Sequence, residues 1–310
     1  MLNRQMEKLI IIVGPTGAGK TGTAIELALR LDGEIISADS RYFYRGMDIG
    51  TAKPTHEEMR TVRHHLIDVT DLDHIWNLAL FQQEAIKLIH EINDRGKLPF
   101  LVGGTGQYIR SITEGWRVPE QEPDDALRKV LEAMTIKMGD QNLHAWLKLL
   151  DPAAAETIDY RNVRRTVRAL EVIFKTGHRF SEQRTKNGSP YHVIMLGIQR
   201  SRHELYARID ARIERMIQDG FVEEVRGLLA QGYDLALQKI AAIGYVEIAQ
   251  HIKGEISLEE AIRLIKRKTR IFVRRQANWF KPTDPNITWF KAGDEMIDAM
   301  EETIRSMLSE

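Results

Sequence analysis

The segment "KLIIIVGPTGAGKTGTAIELALRL" (residues 8–31) joins a β-branched apolar run to an amphipathic stretch through eight residues reading G-x-x-x-x-G-K-T. A buried strand, a glycine loop and a helix in that order form the first unit of a parallel sheet, so the chain is committed to an α/β fold. Gly14, Gly17 and Gly19 permit tight positive-φ turns. The loop Gly14, Pro15, Thr16, Gly17, Ala18, Gly19, Lys20, Thr21 can therefore aim its N–H groups at one oxyanion cluster. Lys20 adds a point charge and Thr21 a hydroxyl suited to Mg²⁺. The motif specifies a bound polyphosphate and leaves the reaction open.

The rest of the chain fits that beginning. Segments 33–40 ("GEIISADS"), 98–110 ("LPFLVGGTGQYIR") and 193–199 ("VIMLGIQ") read as further buried strands, the second followed by its own glycine turn. Between "RVPEQEPDD" (117–125) and "TKNGSPYH" (185–192) the periodicity is helical only. The expected fold is thus α/β: a P-loop NTPase-like parallel sheet flanked by helices, with an inserted all-helical subdomain and a helical C-terminal region. The expected division is a core of residues 1–120 and 190–310 and an insert of 121–189. Helices are predicted over 201–219, 221–231, 240–253 and 257–280.

Composition narrows the class. The 310 residues include no cysteine, which excludes disulfides and thiolate chemistry and suits a reducing compartment. No apolar run approaches the roughly 20 residues of a membrane span, and a cytoplasmic protein without membrane attachment is expected. Net charge is zero, yet from Arg263 to Lys281 eight residues are Lys or Arg and none is acidic. Arg263, Arg267, Arg270 and Arg274 share one helix face, opposite a packing face of Leu258, Ile262, Ile265, Thr269 and Phe272. Arg161, Arg164, Arg165 and Arg168 form a second cluster in the insert. Such faces are either solvated or engaged by a polyanion, and two of them near a phosphate site favour the polyanion.

Two further positions carry candidate chemistry. Asp39 ends the second strand, at the edge where a parallel sheet gathers its ligands. It admits three roles: holding Mg²⁺ through water, acting as a general base, or capping the next turn. Thr105 lies within Gly103-Gly104-Thr105-Gly106, where glycines admit either a ligand or a tight turn. His64 and His65 are adjacent on an extended segment and point to opposite faces, a poor geometry for a shared metal.

Taken together, "GPTGAGKT", "IISADSRYFYRGMDIGTAKP", "HHLID", "LVGGTGQY", "RALEV", "AAIGYVE" and "RRQANWFK" resemble, in the same order, the bacterial tRNA dimethylallyltransferases (tRNA isopentenyltransferases). The resemblance covers about residues 8–290. It implies transfer of a dimethylallyl group from dimethylallyl diphosphate to N6 of the adenosine 3′ of the anticodon, A37, in the tRNA anticodon stem-loop, with Mg²⁺ as cofactor and a monomeric enzyme. Asp39 matches the family's general base and Thr105 its threonine at the reacting centre. Residues 14–21 and Arg212 then hold the diphosphate, with Thr21 at the metal. Ser40, Arg41, Tyr42, Arg128, Arg164, Arg165, Arg168, Gly244, Tyr245, Arg274, Arg275, Gln276 and Trp279 fall where the family binds tRNA.

The sequence departs from the family pattern at Arg41-Tyr42-Phe43, where Met-Gln-Val is usual, and at Gln107, Ala241 and Val246. These changes touch expected tRNA contacts and leave the catalytic set intact. Three other readings share parts of the pattern. A P-loop nucleoside or metabolite kinase would not need the acid-free cationic helix, and an isopentenyltransferase of free adenine nucleotide would lack the tRNA-gripping C-terminal region. An RNA-binding module with a vestigial loop would not need Asp39 or Thr105.

Overall fold

The computed structural model describes residues 6–116, 118, 124–184 and 188–309. Most of the 117–125 linker and part of the 185–192 loop lie outside these residues. The chain divides into two compact units, one of residues 1–113 and 189–310, the other of 114–188.

The first unit begins β1 (Lys8–Val13), α1 (Lys20–Arg30), β2 (Gly33–Ser37), α2 (His56–Thr61), β3 (His64–His65), α3 (Leu78–Asp94), β4 (Leu98–Val102) and α4 (Gly106–Thr113). The second unit holds α5 (Asp125–Met138), α6 (Asp140–Leu150), α7 (Pro152–Thr157) and α8 (Val163–Thr176). The chain then returns to the first unit with β5 (His192–Gln199), α9 (Arg202–Gln218), α10 (Phe221–Ala230), α11 (Asp234–Ile240), α12 (Tyr245–Ile252), α13 (Leu258–Gln276), β6 (Thr288–Lys291) and α14 (Met296–Ser309).

The six strands are parallel in the order β3-β2-β4-β1-β5-β6. Leu9 to Val13 of β1 are fully buried, because helices cover both faces and no position faces water. Each such side chain contributes about 1.5–3 kcal/mol of burial. β1 pairs with β4 (Ile12 opposite Val102) and with β5 (Val13 opposite Gly197). The loops after β1, β2, β4 and β5 therefore leave the sheet at one edge.

Two helical expectations are corrected. The helix expected over 240–253 begins only at Tyr245: Ile240 ends α11, and left-handed backbone at Ala241 (φ 50°) and Gly244 (φ 101°) separates the two helices. The 257–280 helix ends at Gln276, so Trp279 lies in the following turn. Its packing face also differs, since Ala261, Ile265, Val273 and Gln276 are buried whereas Phe272 is exposed. β6 was not among the strands read from the sequence. His64 and His65 lie on β3 but bind no common partner: His65 Nε2 is 2.7 Å from Glu34 and His64 Nδ1 is 2.8 Å from the Val62 carbonyl.

The second unit packs its helices around Leu131, Leu143, Leu147, Ile158, Val167 and Leu170. Beside this core Glu171 is fully buried, accepting from Arg128 Nε (2.9 Å), Arg168 (2.7 Å) and the Asp124 N–H (2.7 Å). Burial raises the Glu171 pKa, but the bonds from Arg168, Asp124 N–H and Arg128 outweigh it and hold the carboxyl below the usual glutamate range. A carboxyl depressed in the folded state stabilises fully above its unfolded pKa, and that contribution fades as pH falls through the folded value. Glu171→Gln should cost about 3 kcal/mol near neutrality, since it leaves two arginines without their buried partner. The difference from the parent should shrink in acid, as read by urea unfolding at a series of pH values.

Candidate active site

The phosphate loop runs from the end of β1 to α1. Gly17 (φ 86°) and Gly19 (φ 107°) hold left-handed backbone, which curls the loop and leaves α1 to start at Lys20. Two arginines absent from the expected set brace it from outside. Arg208 Nε donates to the Gly17 carbonyl (2.8 Å) and Arg200 Nε to the Ala18 carbonyl (2.9 Å). With those carbonyls tied back, the N–H side of the loop is left for an anion.

Lys20 donates to the Pro15 carbonyl (3.0 Å). Burial lowers its pKa to about 8, opposed by the nearby Asp39 carboxylate and assisted by Arg212. These mutual influences place Lys20, Asp39 and Arg212 in one cluster, although they come from α1, the end of β2 and α9. Arg212 is oriented by the Thr51 carbonyl (2.8 Å). Tyr42 joins the same group. Its phenol donates to the Ala52 carbonyl (2.8 Å) and lies against the Thr21 hydroxyl, and burial first, then Asp39, raises its pKa.

Asp39 follows β2 directly. Its Oδ1 accepts the Arg41 N–H (3.0 Å), which closes the turn that presents Ser40, Arg41 and Tyr42. The capping role open in the sequence is thus realised by one oxygen. Among the described residues Oδ2 receives no hydrogen bond.

Thr105 opens α4, its carbonyl accepting from Tyr108 N–H (2.9 Å) and Ile109 N–H (3.2 Å). The flanking glycines make room for protein. A Cβ on Gly103 would collide with Ala38, on Gly104 with Gln276 Nε2, and on Gly106 with the Trp279 ring. Since Gly103 packs on the residue before Asp39, the Thr105 loop and Asp39 are neighbours at the sheet edge.

Several expected tRNA contacts prove to be internal. Gln276 is buried, with Oε1 accepting from Thr16 N–H (2.8 Å) and Nε2 donating to the Gly104 carbonyl (3.2 Å). Tyr245 is fully buried and donates to Glu224 (2.5 Å), while buried Gly244 lies beneath the Phe221 ring. Arg128 and Arg168 are committed to Glu171. Gln276, Tyr245 and Gly244 are structural here, because their polar or steric capacity is already filled, whereas Arg128 and Arg168 bind Glu171 and keep about a third of their side chains exposed.

By contrast Arg164, Arg274 and Arg275 are exposed, Ser40, Arg41 and Arg165 are partly so, and none of the three exposed arginines has an acidic partner among the described residues. Trp279 is half-buried at the rim of a depression of about 430 Å³ that it shares with Arg110, Asn278, Lys281, Thr283 and Asp284. The basic face of α13 borders a second depression of about 580 Å³, lined by Tyr206, Arg263, Lys266, Arg267, Arg270, Ile271 and Arg274. Its charge is partly spent: Arg263 pairs with Glu260, Lys266 with Glu214, and Arg270 with Asp210.

Glu224 is a further residue without a sequence signal. Its carboxylate accepts the three successive N–H groups of Asp48 (3.0 Å), Ile49 (2.7 Å) and Gly50 (3.2 Å), which fixes the loop whose carbonyls orient Arg212 and Tyr42. These loop partners lie some 175 positions away, so nothing local announces the role. Arg208 was more accessible, being four residues before Arg212 on one amphipathic helix.

A phosphate loop at the centre of a parallel sheet, with a carboxylate and a threonine at the same edge, defines a P-loop α/β protein built for chemistry on a phosphorylated ligand. The family model described as IPP transferase matches residues 42–283, and the chain belongs to that family. It is 46% identical over 299 residues to a tRNA dimethylallyltransferase of Roseiflexus sp. (strain RS-1), covering 96% of this chain and 98% of that one. A relative of the same name from Thermomicrobium roseum is 48% identical over 273 residues, covering 88% and 83%.

Among solved structures, the full-length tRNA isopentenylpyrophosphate transferase from Bacillus halodurans superposes with a TM-score of 0.72 at 42% identity, covering 98% of this chain and 97% of that one. A eukaryotic dimethylallyltransferase acting on tRNA gives 0.80 at 26% identity, covering 97% and 78%. The family model begins after the phosphate loop and Asp39, but these longer matches extend across most of the chain.

Because only protonated Lys20 attracts an anion, wild-type affinity for inorganic pyrophosphate should fall above pH 8, by up to about tenfold per pH unit, relative to Lys20→Met. Titration calorimetry of both proteins in matched buffers checks this.

Proposed function

We propose that this chain is a tRNA dimethylallyltransferase, moving a dimethylallyl group from its diphosphate to N6 of A37 and releasing diphosphate. The observation that carries this reading is the meeting of the phosphate loop, Asp39 and the Thr105 loop at one sheet edge, in a chain of the IPP transferase family. A carboxylate beside an anion cradle, as Asp39 is beside Lys20, can accept a proton in either a kinase or a prenyltransferase, and membership of the IPP transferase family favours the second.

In this mechanism the loop N–H groups, Lys20 and Arg212 hold the diphosphate where negative charge grows as the C–O bond breaks. Each such preorganised donor is worth roughly 3 kcal/mol. The N6 lone pair, delocalised into the purine, forms the new N–C bond, and its proton passes to Asp39, a step worth about 10²–10⁴ in rate. Thr105, between the glycines, offers its hydroxyl towards the bridging oxygen of the leaving group. The electron pair of the broken bond leaves with the diphosphate.

Mg²⁺ fits the donors present. The Thr21 hydroxyl and a single nearby carboxylate match an ion held mainly by substrate phosphates, and no group of three His, Asp or Glu that could hold a metal alone occurs among the described residues. When bound, the ion would neutralise diphosphate charge.

The target base must leave its stack to reach this edge. Exposed Arg164, Arg274 and Arg275, with partly exposed Ser40, Arg41, Arg165 and Trp279, are the groups left to grip the anticodon stem-loop. No described helix is long and apolar enough to cross a membrane. We infer that the chain acts in the cytoplasm, as a monomer.

Label should enter unmodified tRNA from labelled dimethylallyl diphosphate and Mg²⁺. Transfer from γ-labelled ATP, or prenylation of AMP but not tRNA, would replace this reading with one of its rivals. Asp39→Ala should lower turnover about 10²–10⁴-fold with tRNA affinity kept; normal turnover with lost affinity would remove Asp39 from the base role. The double substitution Arg267→Ala, Arg274→Ala should reduce the slope of log K against log salt by about 1–2. An unchanged slope would leave that face merely solvated.

A further inference from the structure

We infer that Gln276 is a positioning residue, resting on the prenyl-transfer reading: from the end of α13 it locks the phosphate loop to the Thr105 loop and so sets the rate of the chemical step. Only 4% of Gln276 is exposed, which removes it from direct contact with RNA. Both ends of its planar amide are used. Oε1 takes the Thr16 N–H of one loop and Nε2 gives to the Gly104 carbonyl of the other, across 260 and 172 positions of sequence.

The surrounding packing is built for this clasp. Gly104 lacks the Cβ that would meet the amide, and Gly106 lacks the one that would meet Trp279. Gln276 and Trp279 thus seat on either side of Thr105, three residues apart at the helix end. Arg110, from α4, closes the arrangement by donating to the Trp279 carbonyl (3.0 Å).

Neither sheet register nor helix start ties Thr16 to Gly104 directly. β1 and β4 pair only up to Ile12 and Val102, and both loops then leave the sheet. Gly103 N–H still donates to the Ile12 carbonyl (3.3 Å), and past it, among the described residues, Gln276 is the side chain hydrogen-bonded to both loops. It therefore governs how the group at the leaving oxygen sits relative to the diphosphate cradle, where an error of about 1 Å can cost about 10²-fold in rate.

Gln276→Met fills the same space with no hydrogen bond. Gln276→Glu keeps an acceptor for Thr16 N–H but sets a carboxyl oxygen against the Gly104 carbonyl. Gln276→Met leaves the charge of the exposed Arg274 and Arg275 face unchanged, whereas Gln276→Glu, when ionised, adds a negative charge beside Arg275 and the phosphate loop. Single-turnover rate, KM for tRNA, pyrophosphate affinity and melting temperature are measured for each. For Gln276→Met we expect a kcat lower by about 10–100-fold, pyrophosphate binding weaker by about tenfold, and KM for tRNA within twofold. Gln276→Glu should lose kcat and bind pyrophosphate more weakly where the carboxyl is ionised, and regain kcat as pH falls and the protonated carboxyl donates to the Gly104 carbonyl again.

Unchanged kcat in a folded Gln276→Met protein would overturn the inference, as would a rise in KM for tRNA with kcat intact. Should that variant fail to fold, Gln276→Glu decides alone, its kcat falling or not. Absence of prenyl transfer by the wild type would instead sink the proposed function. The pyrophosphate comparison would still report whether Gln276 holds the phosphate loop.

Discussion

The pairing of β1 between β4 and β5 is the constraint on which everything else rests. Five consecutive fully buried residues fix the strand against slippage, because any shift would break two ladders and repack both helical layers. With the register fixed, the loops after β1, β2 and β4 emerge side by side. Phosphate cradle, carboxylate and threonine are then brought together by backbone hydrogen bonds laid down well away from the chemistry. The side chains of the site add orientation to a meeting the sheet has already arranged.

Arginine plays a larger internal part than a charge count suggests. Arg200 and Arg208 spend their guanidinium groups on loop carbonyls, Arg212 on the Thr51 carbonyl, and Arg128 and Arg168 on one buried glutamate. A planar fork that reaches carbonyls and carboxylates in fixed geometry suits bracing as well as anion binding. The basic stripe of α13 is correspondingly thinner in free charge than its sequence implies, since Arg263, Lys266 and Arg270 face acids from α13 itself and from α9.

The sheet, the phosphate loop and the positions of Asp39 and Thr105 were legible in sequence because each rests on a local pattern: apolar runs, glycine spacing, and the strand-end rule. The family resemblance was legible for the same reason, as ordered short motifs. What could not be read was direction. Gln276 and Arg168 lie beside exposed arginines and Tyr245 lies in a glycine turn, and whether a side chain there turns outward or inward depends on partners up to 260 positions away. The glycines around Thr105 showed that something approaches closely. That the visitor is Gln276 and Trp279 needed the fold.

That interlock has a consequence for how the family can vary. Loop 103–106 and residues 276–279 are two halves of a single fitted joint, separated by about 170 positions of chain. A larger residue in one half has to be matched by a smaller one in the other, so the two segments are obliged to drift together or not at all. C-terminal helices exchanged between distant relatives would carry a foreign half into the joint, and a shortened chain ending before α13 would be left with an unclasped phosphate loop. A helix end about 260 positions from the loop in sequence is, in this sense, a piece of the loop.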